Sequence, residues 1–282
     1  MPVTSVSVIS TGSVQIRPEH VESNGMPLFL WLLTSRRWTA PRPINVYVVE
    51  HDSGLVLFDT GQDRASVTDA DYFPRGPLRF FFNRLARFRI GAGDTLTAQL
   101  AAAGLDIADV TTVVISHLHQ DHIGGLRELG HARIVVSETE WASLASPLAV
   151  ADGVLAKHID LAGLTWQRIS PEPTTDADLA PFTRAHDLAG DGSLMLVSTP
   201  GHTPGSLSLI VRRPEHPPLV LVGDLTYDVR LLEQVRVPGV GSRRVLATTS
   251  AAVNEFVARN PGALVLAAHD PAAAGMLAGV TA

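Results

Sequence analysis

Three imidazoles and a carboxylate stand within six residues at His117-Leu118-His119-Gln120-Asp121-His122. Each is costly to bury unpaired, so their crowding calls for a shared counter-charge, and a divalent cation supplies one. In an extended turn His117 and His119 fall on one side, while Asp121 and His122 begin a new turn and face a second position. The chain contains no cysteine. A thiolate nucleophile, a disulfide framework and a Cys-ligated metal are therefore excluded, and any metal must rest on histidines and carboxylates.

The His-rich string follows the short β-branched run Val110–Ser116, which predicts a buried strand. Three more candidate ligands repeat that placement: His202 in Pro200-Gly201-His202-Thr203-Pro204-Gly205 follows Ser193–Thr199, Asp224 follows Leu219–Val222, and His269 follows Ala263–Ala267. Short loops at strand ends converge while the sheet holds them rigidly, so such ends are where sites assemble. His20, His51, His131, His158, His186 and His216 have no comparable spacing and are read as ordinary.

The elements that must position these groups alternate. Pro43–Glu50 and Gly54–Phe58 read as a hairpin around Asp52-Ser53-Gly54, ending in Asp59-Thr60-Gly61. A helix is predicted over Asp94–Leu105, with Asp94 as N-cap and Gly104 near its stop. Leu164–Ile169 and Ser206–Val211 are further strands, and Arg243–Asn260 is an amphipathic helix. The pattern is α/β. The linker-like stretch Ser170–Pro181 is too short for a confident boundary, so residues 1–282 are expected to form one domain of two α/β halves with a pseudo-boundary near 150–180.

With 282 residues, 45% hydrophobic and 18% charged, the chain can bury a sizeable core and is neither disordered nor fibrous. A net charge of −6 disfavours nucleic-acid partners. No apolar run is long enough to span a bilayer, and Met1 to Gly12 lacks the pattern of a secretory signal. The expectation is a cytoplasmic protein without stable membrane insertion, with earlier removal of a leader left open.

Five ordered motifs, Asp59-Thr60-Gly61, His117 to His122, His202, Asp224 and His269, together resemble the metallo-β-lactamase superfamily over Asn45 to Asp270. The resemblance implies an αβ/βα sandwich of two mixed sheets flanked by helices, with a dinuclear site between its halves. It implies that one ion takes His117, His119 and His202, the other takes Asp121, His122 and His269, and Asp224 bridges them. Asp59 is expected to accept the N–H of a ligating imidazole and fix its tautomer. Zinc is the default pair of ions, and Fe, Mn or Co suit the same donors.

Two such cations lower the pKa of a shared water from ~15.7 towards neutrality, so the bridging hydroxide can attack without a protein nucleophile. Asp121 is then the candidate to carry a proton to the leaving alkoxide. Tyr227, three residues past Asp224, resembles the phenol of the N-acyl homoserine lactonases, where it is taken to donate to the substrate carbonyl; the alternative is a core-packing tyrosine. The closing Ala267-Ala268-His269-Asp270 is similar to those lactonases with Ala268 in place of Gly, whereas Gln120 stands where they usually carry an aromatic or another residue.

The expected activity is therefore opening of a lactone ring, N-acyl homoserine lactone above all, by a dinuclear hydrolase. The alternative is another ester on the same fold, a phosphotriester or aryl ester. A glyoxalase II-type thioesterase is disfavoured by Gly205-Ser206 where that type carries a second His, and a flavodiiron oxidoreductase by His119 where that type has Glu. A non-catalytic module would be expected to have lost ligands. Met26, Phe29 and Trp31 in one apolar segment, and Phe81 and Phe82 in the Arg- and Phe-rich stretch Tyr72–Phe88, are candidate pocket residues outside the strand framework. The second segment suits a subunit contact equally, and the lactonases this chain resembles are frequently homodimers.

Overall fold

The computed structural model describes residues 2–281. Its strands are β1 (Val3–Ile16), β2 (Arg42–His51), β3 (Gly54–Phe58), β4 (Ala86–Arg89), β5 (Val110–Val114), β6 (Arg133–Ser137), β7 (Thr165–Ile169), β8 (Glu172–Pro173), β9 (Arg184–Asp187), β10 (Leu194–Ser198), β11 (Leu207–Arg213), β12 (His216–Leu221) and β13 (Leu264–Leu266). They form two mixed sheets, ordered β4-β1-β2-β3-β5-β6-β7 and β13-β12-β11-β10-β9-β8. The chain passes from one sheet to the other between Ile169 and Glu172.

Side-chain alternation sets the layers. Along β2, Tyr47 and Val49 face the second sheet and pack with Leu196, Leu209 and Leu221, while Val46 and Val48 face outward onto Leu96 and Leu100. Both sets are buried because both faces of the sheet are covered, which is why β2 reads as a continuous apolar run. On the far side, Leu246, Val253 and Phe256 of the helix Arg243–Arg259 cover Val197, Ile210 and Val220. The result is a helix–sheet–sheet–helix sandwich.

Parallel pairing decides where the loops gather. β3 runs parallel to β5, and β12 parallel to β13, so the loops after all four leave from one edge of the sandwich. Ser116 O accepts from Leu207 N at 3.0 Å, which joins the two sheets at that edge.

Several details depart from the sequence reading, the short strands β4, β8 and β9 among them. The helix spans Leu96–Ala102 with Thr95 as N-cap, its hydroxyl accepting from Ala98 N at 3.3 Å; Asp94 instead accepts from Gly91 N in the preceding turn. Phe88 belongs to the strand framework, opposite Val14 in the β1–β4 ladder. The longest strand, β1, went unpredicted because register shifts between Val3 and Ser5 and between Ser10 and Ser13 break its alternation.

Candidate metal centre

Asp59-Thr60-Gly61 is the platform on which the His-rich turn rests. Asp59 Oδ1 accepts from Ser116 N at 2.7 Å, and Oδ2 accepts from Ser116 Oγ at 2.9 Å and faces His122 Nδ1 at 2.7 Å. The Thr60 hydroxyl donates to His122 O at 2.9 Å, and Gly61 O accepts from Gly124 N at 2.7 Å. Gly61 has φ +74°, and a Cβ there would lie 1.9 Å from Thr11 Oγ1, so only glycine fits.

Hydrogen bonds around the rim fix where the imidazole lone pairs point. Because Ser116 Oγ donates to Asp59, it accepts from His117 Nδ1 at 3.0 Å, leaving the lone pair on Nε2. His119 Nε2 donates to Asp152 O at 2.8 Å, leaving the lone pair on Nδ1. These two lone pairs face each other across 3.0 Å, and His202 Nε2 is also 3.0 Å from His119 Nδ1. Lone pairs repel unless a cation lies between them. Nitrogens bound tetrahedrally at about 2.0–2.1 Å are about 3.3 Å apart, close to the observed spacing.

A second cluster lies beside the first. His122 Nδ1 donates to Asp59 and His269 Nδ1 donates to Pro43 O at 2.9 Å, so both Nε2 atoms turn inward. Asp224 Oδ1 is 3.4 Å from each of them, Asp121 Oδ2 is 3.5 Å from His269 Nε2, and Asp121 Oδ1 is 3.9 Å from His122 Nε2. Asp224 Oδ2 faces the first cluster, 3.5 Å from His202 Nε2. His122 Nε2 and Asp224 Oδ1 are buried without a hydrogen-bond partner. These two orphaned atoms, and the grouping of ligand atoms within 4.8 Å as His117/His119/His202, His117/His122/Asp224 and Asp121/His122/His269, fit two divalent cations on histidine and carboxylate.

The charge states suit that use. Burial and the neighbouring His122 and His119 hold His117 well below the ordinary imidazole range, and burial does the same for His202, so both are neutral donors. Burial pushes Asp224 up, but His269 and His122 outweigh it and keep the carboxylate ionised. Burial likewise opposes a charge on His122, yet Asp59 and Asp224 raise it well above the usual value. That proton occupies the place a cation would take. Burial and Asp224 raise Tyr227, leaving a neutral phenol that donates to Asp224 Oδ2 at 2.7 Å.

A cavity of about 960 Å³ opens onto these groups. His119, Asp121, His202, Asp224, Tyr227 and His269 form its polar end, and Ile16, Phe29, Leu32, Phe81, Phe82 and Val245 are among the apolar groups along the remainder. Of the expected pocket residues, Phe29, Phe81 and Phe82 line it, whereas Met26 and Trp31 do not. Trp31 is 1% exposed beneath the wall, because helix Leu28–Thr34 turns that side chain inward. One arginine of the aromatic stretch serves the wall itself: Arg84 donates to Leu32 O, Leu33 O and Ser35 O at 2.7–3.0 Å, tying helix Pro77–Leu85 to the end of its neighbour.

Three positioning groups escaped the sequence reading. Glu140, fully buried, accepts from Leu118 N at 3.0 Å, Thr203 Oγ1 at 2.7 Å and Gly205 N at 3.2 Å, locking the His117–His122 turn to the His202 turn. A Cβ on Gly205 would meet Glu140 N at 2.2 Å. Arg42 Nη1 donates to Tyr227 O at 2.6 Å and His269 O at 3.2 Å. His20, read as ordinary, places Nε2 2.9 Å from the Tyr227 hydroxyl, and burial pulls its imidazole down to about 4. Their partners are remote in sequence, so no local spacing marks them.

The profile of the Metallo-beta-lactamase superfamily matches residues 39–269. The N-acyl homoserine lactonase AttM of Azorhizobium caulinodans is 31% identical over 81% of this chain and 82% of its own length, and AttM of Rhizobium johnstonii 32% identical over 82% and 83%. Among solved structures, a mutant AiiA of B. thuringiensis with N-decanoyl-L-homoserine bound at the active site superposes with a TM-score of 0.75 at 22% identity, covering 96% of this chain and 95% of that one.

Proposed function

The chain belongs to the metallo-beta-lactamase superfamily, and we propose that it is a metal-dependent hydrolase that opens a lactone ring, taking an N-acyl homoserine lactone to the N-acyl homoserine. The lining of the cavity carries this reading: a phenol beside a carboxylate among the candidate ligands, together with many apolar side chains, suits a carbonyl head on an acyl tail. The names of relatives about a third identical support the same substrate.

His117, His119 and His202 would hold one divalent ion and Asp121, His122 and His269 the other, with Asp224 between. Zinc is the default, and Fe, Mn or Co suit the donors. When bound, the pair supplies a hydroxide nucleophile at neutral pH and Lewis acidity towards the carbonyl. Asp121, whose side chain is 16% exposed at the cavity floor, carries the proton to the leaving alkoxide. Tyr227 donates to the carbonyl oxygen as negative charge develops on it. Phe81, Phe82 and their neighbours take the acyl chain and exclude water.

The two sheets share one inner core, which supports reading the whole chain as a single domain. Phe29, Leu30, Leu33 and Phe80 are 48–62% exposed on the two cavity helices, which supports a homodimer contact there; sedimentation that stays monomeric at high concentration would remove it.

The test of function is proton release, followed with a pH indicator, when zinc-loaded protein meets short- and long-chain N-acyl homoserine lactones, with chelated protein as control. Metal-dependent acid production is expected. No acid from any lactone with metal bound would overturn the reading in favour of phosphotriesters or aryl esters.

A further inference from the structure

We propose that His20, beside Tyr227 in the cavity lining, is a positioning residue for that side chain: the imidazole Nε2–H donates to the phenol oxygen and so aims the single phenol hydrogen away from the imidazole, at the place of the substrate carbonyl. The proposal rests on the lactonase reading above.

The direction of each hydrogen bond follows from counting hydrogens. A neutral phenol has one, and Asp224 Oδ2, 2.7 Å away, takes it. The 2.9 Å contact with His20 Nε2 is therefore a donation to the phenol oxygen. Were the phenol to donate to His20 instead, the Tyr227 and Asp224 Oδ2 oxygens would face each other at 2.7 Å with no hydrogen between them. A neutral imidazole protonated on Nε2 carries its lone pair on Nδ1, and His20 Nδ1 is indeed buried without a partner. Leaving that atom unsatisfied has a cost, which the bond to Tyr227 offsets.

His20 is held firmly enough for the task. It lies in the short helix Pro18–Val21 and is 7% exposed; its carbonyl accepts from Gly239 N at 3.1 Å. Its ring meets that of Tyr227 edge-on at 4.9 Å, and Trp31 stands behind it at 6.3 Å. When a carbonyl oxygen arrives, the phenol hydrogen need only turn from Asp224 to the new acceptor, while His20 keeps the oxygen in place and, carrying the hydrogen on Nε2, cannot itself accept the phenol hydrogen. A donor oriented before the charge develops costs no reorganisation during the reaction, and a chain of two hydrogen bonds strengthens the forward one.

The first arm of the test is nitrogen-15 NMR of histidine-labelled, zinc-loaded protein. A buried imidazole in the Nε2–H tautomer is expected, assigned to His20 by its loss in His20→Gln or, should that variant misfold, by its shift in Tyr227→Phe; the Nδ1–H tautomer at His20 would overturn the proposal. The second arm is kinetic. His20→Phe should lower kcat about 10-fold with KM little changed, and His20→Gln, which can place an amide N–H where Nε2 stood, should return to within about threefold. In the Tyr227→Phe background His20→Phe should cost nothing more. Equal losses in both backgrounds, or a Gln variant no better than Phe, would reduce His20 to packing. Absence of lactone turnover in the unaltered protein sinks the proposed function, whereas the wrong tautomer sinks the role of His20.

Discussion

The two ends of the cavity are built by different physics. At the polar end four imidazoles are each oriented by a hydrogen bond to something rigid: His117 by Ser116, His122 by Asp59, His269 by Pro43 O and His119 by Asp152 O. At the other end Phe29 and Phe81 meet edge-on at 6.0 Å on two short helices clamped by Arg84. Directional bonds define positions to a fraction of an ångström, and apolar packing defines a volume. The polar end should therefore govern rate, and the apolar end should govern which substrate binds.

The strongest challenge to that division is at the ligands. Asp121→Asn or His119→Ala should lower kcat by about 1000-fold or more while the circular dichroism spectrum and melting cooperativity persist. A comparable rate in either variant would remove the polar end from the chemistry. Tyr227→Phe should cost about 10- to 1000-fold in kcat on a lactone, read by steady-state kinetics across chain lengths. No loss would return Tyr227 to the core, where it already packs with Ile16, Val21 and Ile44.

His20 lies where the two ends meet, and its burial makes a prediction about pH. Its imidazole is pulled from 6.5 down to about 4 by desolvation. Between those values the unfolded chain takes up a proton that the folded chain refuses, so stability is full above pH 6.5 and falls as pH drops towards 4. The loss from this residue is on the order of 3 kcal/mol. Urea unfolding of metal-free protein should show the wild type losing more than His20→Gln between about pH 7.5 and about pH 4.5. Parallel losses would mean that His20 is protonated in the fold.

Phe81→Ala should raise KM about 10-fold for a long acyl chain and little for a short one, since a buried aromatic contact contributes about 1.5–3 kcal/mol. If kcat fell equally for both lengths, the apolar end would be positioning the reacting carbonyl and the division would fail.

Much of the polar end was legible before folding. His117, His119, Asp121 and His122 are near neighbours in the chain, so backbone geometry alone brings them together, and His202, Asp224 and His269 each follow a recognisable strand. Strands β5, β10 and β12 could be read from their buried β-branched and aliphatic residues, among them Val113 and Val114, Leu194 to Val197, and Leu219 to Leu221, which are covered on both faces. β1 could not, since its Ser- and Thr-rich sequence bulges twice and pairs with β2 and β4 only in the folded sheet.

What the amino-acid order determined by itself is the inventory of donors and their local spacing, which suffices to name the chemistry. Only the tertiary structure decided that His20 meets a phenol 207 residues away, that Glu140 ties together two turns 63 and 22 residues from it, and that Phe29 and Phe81 share a wall while Trp31 is turned from it. The physical reason is range. Covalent geometry fixes relations over a few residues, whereas these contacts exist because two sheets bury a common core and bring distant loops to one edge.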